Sequence, residues 1–155
     1  MLQIEIPGRE PLTVSHVVLD YNGTVALDGA LLPGVAERIA QLAQCVAVHI
    51  LTADTHGTAA RQCSGLNVSL QTFPQAGAAS CKAAIVRALS GGVVCFGNGF
   101  NDIPMFDAAA LSVAVLGQEG LCAALLPHAA VVVTDIMDGL DLLLKPDRLR
   151  ATLRS

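Results

Sequence analysis

Hydrophobic positions along the chain form short runs separated by longer amphipathic segments. Apolar and polar residues alternate over 2–6, which predicts a half-buried strand, and Pro7-Gly8 turns the chain into a second run over 12–19. That run ends abruptly at Asp20 after three consecutive apolar residues, as in a strand buried on both faces. We therefore predict an N-terminal hairpin over 1–19 whose last strand opens a core over 15–144.

Strand-like and helix-like patterns then alternate to the end of that core. Asp28-Gly29 predicts a tight hairpin over 25–32. Strands are predicted over 45–51, 68–72, 93–96, 112–116 and 130–134, and helices over 33–44, 58–64, 80–89, 102–109, 119–126 and 136–144, with a short basic helix over 145–155. This alternation predicts one α/β domain over 1–155: three layers, Rossmann-like, with a mainly parallel central sheet.

Composition excludes several classes of protein. Of the 155 residues 53% are hydrophobic and 14% charged, which excludes a disordered chain. A net charge of −4 and five aromatic residues argue against nucleic-acid binding. We see neither a secretory signal nor an apolar run of membrane-spanning length, so we expect a cytoplasmic protein without a membrane partner. The five cysteines include no CxxC pair, which argues against a disulfide framework or a structural metal site.

Polar residues follow the predicted strands at their carboxyl ends, where open parallel sheets collect their chemistry. Asp20 and Asn22 follow one strand, Thr52 and Ala53 follow the next, and Asn98 and Asp102 follow a third. An oxygen-rich cluster of this kind suits Mg²⁺. The same residue types are also ordinary turn and N-cap residues, and for a single turn that interpretation is the stronger one. Three such turns at one sheet edge favour a functional site.

Residues 17–115 resemble the haloacid dehalogenase superfamily of aspartyl-phosphate enzymes, in particular the phosphorylation domain of P-type ATPases. Residues 20–24 (Asp-Tyr-Asn-Gly-Thr) match the first signature of that superfamily, and 52–54 (Thr-Ala-Asp) are similar to the second. Pro74 and Lys82 resemble the segment that supplies a phosphate-binding lysine. Residues 97–104 match the magnesium signature except at Asn98.

The resemblance implies a mechanism. Asp20 would attack phosphorus and form an aspartyl phosphate. The resemblance further implies a Mg²⁺ site and a phosphate-binding site: the metal residues are Asp20, Asn22, Asn98 and Asp102, and the phosphate-binding residues are Thr52, Ala53 and Lys82. Asn22 would contribute its backbone carbonyl to the metal and its side chain to the leaving group.

Two residues depart from the superfamily pattern. Phosphatases of this type usually carry Asp where this chain has Asn22, and an amide cannot transfer a proton; the loss typically costs about 10²–10⁴ in rate. Asn98 replaces an acidic residue and should weaken Mg²⁺ binding. The sequence thus predicts slow Mg²⁺-dependent phosphate-ester hydrolysis or phosphotransfer. The alternative is a catalytically impaired domain that binds a phosphorylated ligand or a protein partner.

Only the 27 residues 25–51 separate the first two signatures, so neither a nucleotide-binding nor a cap domain fits there. An ion pump is not expected, and the mouth of the site should be open to a small phosphorylated substrate. The predicted hairpin over 25–32 could cover the site of a neighbouring subunit in a homo-oligomer, or be a flap without a partner. His56 beside the second signature could contact substrate, or simply be solvated.

Overall fold

The computed structural model describes residues 1–155, and a six-stranded sheet runs through its centre. Every pairing in this sheet is parallel, which confirms the predicted α/β sheet. In their order across the sheet the strands are β10 (Val131–Val133), β9 (Leu111–Val115), β8 (Val93–Gly97), β3 (His16–Asp20), β6 (Ala47–Thr52) and β7 (Ser69–Thr72). The strand that ends in Asp20 therefore lies inside the sheet, between β8 and β6.

Helices cover both faces of the sheet. They are α1 (Val35–Leu42), α2 (Ala59–Gln62), α3 (Ala78–Ala88), α4 (Ile103–Ala108), α5 (Ile136–Leu144) and α6 (Pro146–Leu153). Alternate residues of β3 enter different cores because successive side chains of a strand point to opposite faces. Val17 and Leu19 pack with α1 and α5, whereas Val18 packs with α3 and α4. This arrangement gives the three predicted layers.

Two small antiparallel hairpins lie outside the central sheet. β1 (Leu2–Ile4) pairs with β2 (Leu12–Val14), so the predicted run 12–19 is divided between a hairpin strand and β3. β4 (Ala26–Leu27) pairs with β5 (Ala30–Leu31) after the first sheet strand, as predicted. Asp28 and Gly29 have φ values of 51° and 83°, which a two-residue turn of this type requires.

The predicted helix over 119–126 is wrong. Residues 116–122 form a loop, and the chain enters a 3₁₀ helix only at Ala123–His128. Gly120 has a φ of +80°, and its N–H bonds the carbonyl of Gly117 at 3.0 Å, so a turn replaces the first helical turn. The other helices begin and end within a few residues of their predicted bounds. No helix combines the length and the apolar character needed to cross a bilayer.

Candidate active site

The carboxyl ends of β3, β6 and β8 surround a cavity of about 390 Å³. Five of the predicted site residues line it, together with Thr55, Gly99, Phe100, Asn101 and Glu119; the five are Asp20, Asn22, Thr52, Ala53 and Asn98. The other two, Lys82 and Asp102, are buried and contact Asp20 or each other. The structure thus brings together all seven residues that the sequence singled out.

Lys82 joins the two carboxylates of the site. Its ammonium group lies 2.6 Å from Oδ1 of Asp20 and 2.7 Å from Oδ1 of Asp102, and it donates to Oδ1 of Asn101 at 3.0 Å. Lys82 is carried by α3, which packs on the sheet so that this residue is only 2% exposed. Two acceptor carboxylates around one ammonium group give the buried cluster a formal charge of −1.

Asp102 is held by backbone groups as well as by Lys82. Its Oδ2 accepts hydrogen bonds from the N–H groups of Asn98 at 3.1 Å and Gly99 at 2.9 Å. The carboxylate folds back over Gly97, where any Cβ would collide with it. The glycine at the end of β8 therefore leaves the space that this carboxylate occupies.

Thr24 connects the first turn with the third. Its hydroxyl lies 3.1 Å from Oδ2 of Asp20 and 3.2 Å from Oδ1 of Asn98, so it can donate to either oxygen. Thr24 is fully buried, and the sequence reasoning gave it no role of its own. Its position in the first signature was the available signal. The amide of Asn98 also donates through Nδ2 to the carbonyl of Gly120 at 3.2 Å.

Gly23 allows the turn after Asp20 to pass close to this amide. Its φ is +80°, and an added Cβ would collide with Nδ2 of Asn98 and lie 2.6 Å from Oε2 of Glu119. A side chain here would be strained by the backbone conformation and would displace the side chains of Asn98 and Glu119. Glu119, on the loop that replaced the predicted helix, was also missed by the sequence reasoning.

The second turn is organised by its own polar side chains. Oγ1 of Thr52 accepts a hydrogen bond from the N–H of Asp54 at 2.8 Å, which leaves the hydroxyl hydrogen of Thr52 available to a ligand. Oδ1 of Asp54 accepts from the N–H groups of Thr58 and Ala59 at 3.1 and 3.0 Å. Asp54 therefore caps the start of α2 rather than facing the carboxylates. His56 is exposed on the same loop.

The predicted flap is tied to these turns through one carbonyl group. The carbonyl of Gly29, at the tip of the β4–β5 hairpin, accepts from the hydroxyl of Tyr21 at 2.8 Å and from that of Thr58 at 2.6 Å. Tyr21 is fully buried directly after Asp20. The hairpin is thus anchored to the first and second turns of the site.

Burial and charge oppose each other at the paired groups. Burial, followed by the charge of Asp102, raises the pKa of Asp20 to about 6, although Lys82 and Thr24 act in the opposite direction. Burial by itself would lower the pKa of Lys82, but Asp20 and Asp102 outweigh it and the pKa is raised. Lys82 is therefore a fixed positive charge at neutral pH.

The oxygen atoms around the cavity fit a hard divalent cation. Asp20 and Asp102 provide carboxylates, and Oδ1 of Asn22 is buried without a hydrogen-bond partner. An amide oxygen in that state is suited to a cation, to a water molecule bound by one, or to a protonated ligand atom. No three His, Cys, Asp or Glu side chains converge at this site or at any other, so a cation here would rely on two carboxylates and on amide oxygens.

Sequence comparison finds two relatives, both from Methanocaldococcus jannaschii. Uncharacterized protein MJ0073 is 42% identical over 62 residues, which are 40% of this chain and 67% of that protein. Uncharacterized protein MJ0072 is 46% identical over 39 residues, 25% of this chain and 89% of that protein. No protein-family model matches the chain.

Solved structures resemble the fold over most of its length. A 3-deoxy-D-manno-octulosonate 8-phosphate phosphatase from Moraxella catarrhalis, with magnesium and phosphate ions, superimposes with a TM-score of 0.71 at 16% identity over 91% of this chain and 94% of that one. A phosphoserine phosphatase gives 0.67 at 13% identity, over 84% and 100%. A zinc-transporting P-type ATPase gives 0.62 at 26% identity, over 79% of this chain but 20% of that one.

Proposed function

We propose that the chain is a capless member of the haloacid dehalogenase superfamily and that it hydrolyses or transfers phosphate esters through Asp20. The observation that carries the proposal is the contact of one buried ammonium group, that of Lys82, with Asp20 at 2.6 Å and Asp102 at 2.7 Å. A lysine with only a structural role is expected at the surface, because burial of a charged group costs roughly several kcal/mol per ion in free energy. The cost is better explained by a site that must hold phosphoryl oxygens.

Asp20 is the proposed nucleophile. A carboxylate oxygen forms a bond to phosphorus while the bond from phosphorus to the leaving oxygen breaks, and that oxygen takes its proton from water. Water then attacks the acyl phosphate, which releases inorganic phosphate and regenerates Asp20; an alcohol in place of water gives transfer. Thr24 and Lys82 keep the carboxylate oriented toward the cavity through hydrogen bonds of 3.1 and 2.6 Å.

Thr52, Ala53 and Lys82 are the proposed phosphate-binding groups. Thr52 and Ala53 line the same cavity as Asp20, and the hydroxyl hydrogen of Thr52 is not committed to the Asp54 contact. Lys82 supplies positive charge next to Asp20. Charge neutralisation and positioning are the main requirements of phosphoryl transfer, and these three groups meet both.

Mg²⁺ is the proposed cofactor. The residues that would hold it are the carboxylates of Asp20 and Asp102 together with Asn22 and Asn98. When bound, the ion neutralises negative charge on the phosphoryl oxygens. The oxygen-only donor set, with one unpartnered buried oxygen on Asn22, supports this choice over a thiol- or imidazole-preferring metal.

The reaction is proposed to be slow, since Asn22 has no proton to give to the leaving oxygen. The two neutral amides, Asn22 and Asn98, also favour a second candidate: a domain that binds a phosphorylated small molecule or a partner without turning it over. The single-domain organisation over 1–155 and a homo-oligomer assembled through the β4–β5 hairpin stay predictions; native mass spectrometry measures the second directly.

Phosphate release from an aryl phosphate tests the proposed function. The assay compares the protein with Asp20→Asn, each with Mg²⁺ and with chelator. Asp138→Asn is the matched control, because it removes the same charge at an exposed position of α5. We expect release only with Mg²⁺ and with Asp20 intact. Release equal in the protein and Asp20→Asn would contradict the hydrolase, and binding of phosphate in that case would support the second candidate.

A further inference from the structure

Glu119 lies at the rim of the cavity, and its side chain has no hydrogen-bond or ion-pair partner in the protein. It lies on the 116–122 loop, is exposed, and takes part in none of the ion pairs or side-chain hydrogen bonds of the molecule. Yet its Oε2 and Nδ2 of Asn98 both crowd the position where a Cβ of Gly23 would lie. The carboxylate therefore lies next to the amide that replaces an acidic residue.

Asn98 holds this loop in place. Its Nδ2 donates to the carbonyl of Gly120 at 3.2 Å, and its own carbonyl accepts from the N–H of Cys122 at 2.8 Å. These two hydrogen bonds bracket the loop on the C-terminal side of Glu119. An aspartate at position 98 would keep the second bond but lose the first, since a carboxylate has no hydrogen to donate.

We infer that the carboxylate of Glu119 supplies the negative charge that an acidic residue at position 98 would have supplied. Glu119 is thus a positioning residue, which acts on the cation through water. This inference rests on the proposed function and deepens it by naming a residue that sets the affinity for the cation. The amide of Asn98 fixes the loop, and the loop places a carboxylate at the cavity rim next to Gly23. The carboxylate of Glu119 does not converge with those of Asp20 and Asp102 as three direct ligands of one ion would. It acts on the water molecules that Mg²⁺ retains in protein sites.

The pairing explains why a neutral amide is tolerated in the third turn. The formal charge of the buried cluster is −1, from the carboxylates of Asp20 and Asp102 and the ammonium group of Lys82. With the carboxylate of Glu119 the formal charge becomes −2, which balances one divalent cation. A carboxylate at the rim of a partly enclosed cavity interacts with a divalent ion over a few ångströms at an intermediate dielectric. Removal of the Glu119 charge should therefore weaken Mg²⁺ binding about tenfold.

Mg²⁺ binding, measured by calorimetry without substrate, tests the inference. Glu119→Gln is expected to weaken binding about tenfold and to leave the unfolding temperature of the metal-free protein unchanged. Glu10→Gln is the matched control: Glu10 is exposed and lies before β2, outside the cavity, and the substitution removes the same charge. Equal Mg²⁺ affinity for the protein and Glu119→Gln would overturn the inference and leave the proposed function intact.

A second variant separates charge from structure. Asn98→Asp in the Glu119→Gln background puts a carboxylate at position 98, which lines the same cavity as position 119. We expect the Mg²⁺ affinity of this double variant to recover to within about threefold of the starting protein. A fall in the metal-free unfolding temperature with Glu119→Gln, or no recovery in the double variant, would show a structural role and contradict the inference. A starting protein that binds no Mg²⁺ would overturn the proposed function together with it.

Discussion

The ammonium nitrogen of Lys82 lies 2.6 Å from a carboxylate oxygen of Asp20, 62 residues earlier in the chain. One residue ends the central strand of the sheet and the other lies on α3, so the contact exists only in the folded chain. Both side chains are buried, and their charges are compensated locally rather than by solvent. The stability of the site and the proposed chemistry thus involve the same ion pair.

Removal of Lys82 should destabilise the protein as well as inactivate it. Lys82→Met leaves the carboxylates of Asp20 and Asp102 buried together without a cation, at an expected cost of about 3 kcal/mol in the free energy of unfolding. Urea denaturation measures this loss. The double variant Lys82→Met, Asp20→Asn should regain part of it, because one of the two uncompensated charges is gone. Equal stability of the single and double variants would show that charge burial is not the cause.

A proton donor at position 22 should accelerate turnover. Asn22→Asp restores a group that can protonate the leaving oxygen, so kcat for an aryl phosphate should rise about tenfold or more. Asn67→Asp, at an exposed position before β7, adds the same charge away from the cavity and serves as control. Unchanged kcat in Asn22→Asp with Mg²⁺ still bound would place the slow step elsewhere.

A side chain at Gly23 should disrupt the site more than strain alone explains. Gly23→Ala combines a positive φ, costing about 1–2 kcal/mol, with a collision against Asn98 and Glu119. Gly65→Ala has nearly the same φ, +83°, but nothing within 4 Å of the added Cβ. We expect Gly23→Ala to lose more unfolding free energy than Gly65→Ala and to lose phosphate release, which Gly65→Ala keeps. Similar losses for the two variants would contradict the crowding.

The opposite end of the sheet should make stability depend on mild acid. Burial, and then the charge of His16, lower the pKa of His49 below its ordinary value of 6.5. His16 and His49 face each other on β3 and β6 with 3.0 Å between Nδ1 and Nε2. At this histidine the unfolded chain therefore binds a proton more readily than the folded one, so His49 by itself makes stability decrease as the pH falls below about 6.5. The pKa of Asp20, raised to about 6, acts in the opposite direction over the same range, so the contribution of His49 is measured in the Asp20→Asn background.

Urea denaturation of the Asp20→Asn variant between pH 5.5 and 7.5 checks this dependence, and both histidine substitutions are made in that background. His49→Gln should flatten the decline below about pH 6.5, because the group whose pKa differs between the two states is gone. His56→Gln, in an exposed loop, is the matched control and should retain the decline. A decline that survives His49→Gln unchanged would rule out this histidine as its source.

The fold was largely predictable because its signal is local. The abrupt end of an apolar run at Asp20 and the Asp28-Gly29 turn each depend on a few neighbouring residues, and both predictions are confirmed. The predicted helix over 119–126 is wrong because it rested on local pattern alone, whereas a contact distant in the sequence decides the conformation of this segment. Its apolar spacing is compatible with a helix, but the positive φ of Gly120 and two hydrogen bonds with Asn98, one donated by its side chain and one accepted by its backbone carbonyl, hold the chain in a loop.

The sequence by itself determined which residues end the strands and their order, and hence the candidate nucleophile, lysine and carboxylates. Only the tertiary structure decided which atoms meet: that Thr24 bridges Asp20 and Asn98, and that Glu119 reaches the cavity. The physical reason is that strand ends follow from local hydrophobic pattern, whereas these contacts depend on the direction of side chains from segments far apart in the chain. Sheet pairing and helix packing fix those directions, and no local pattern encodes them.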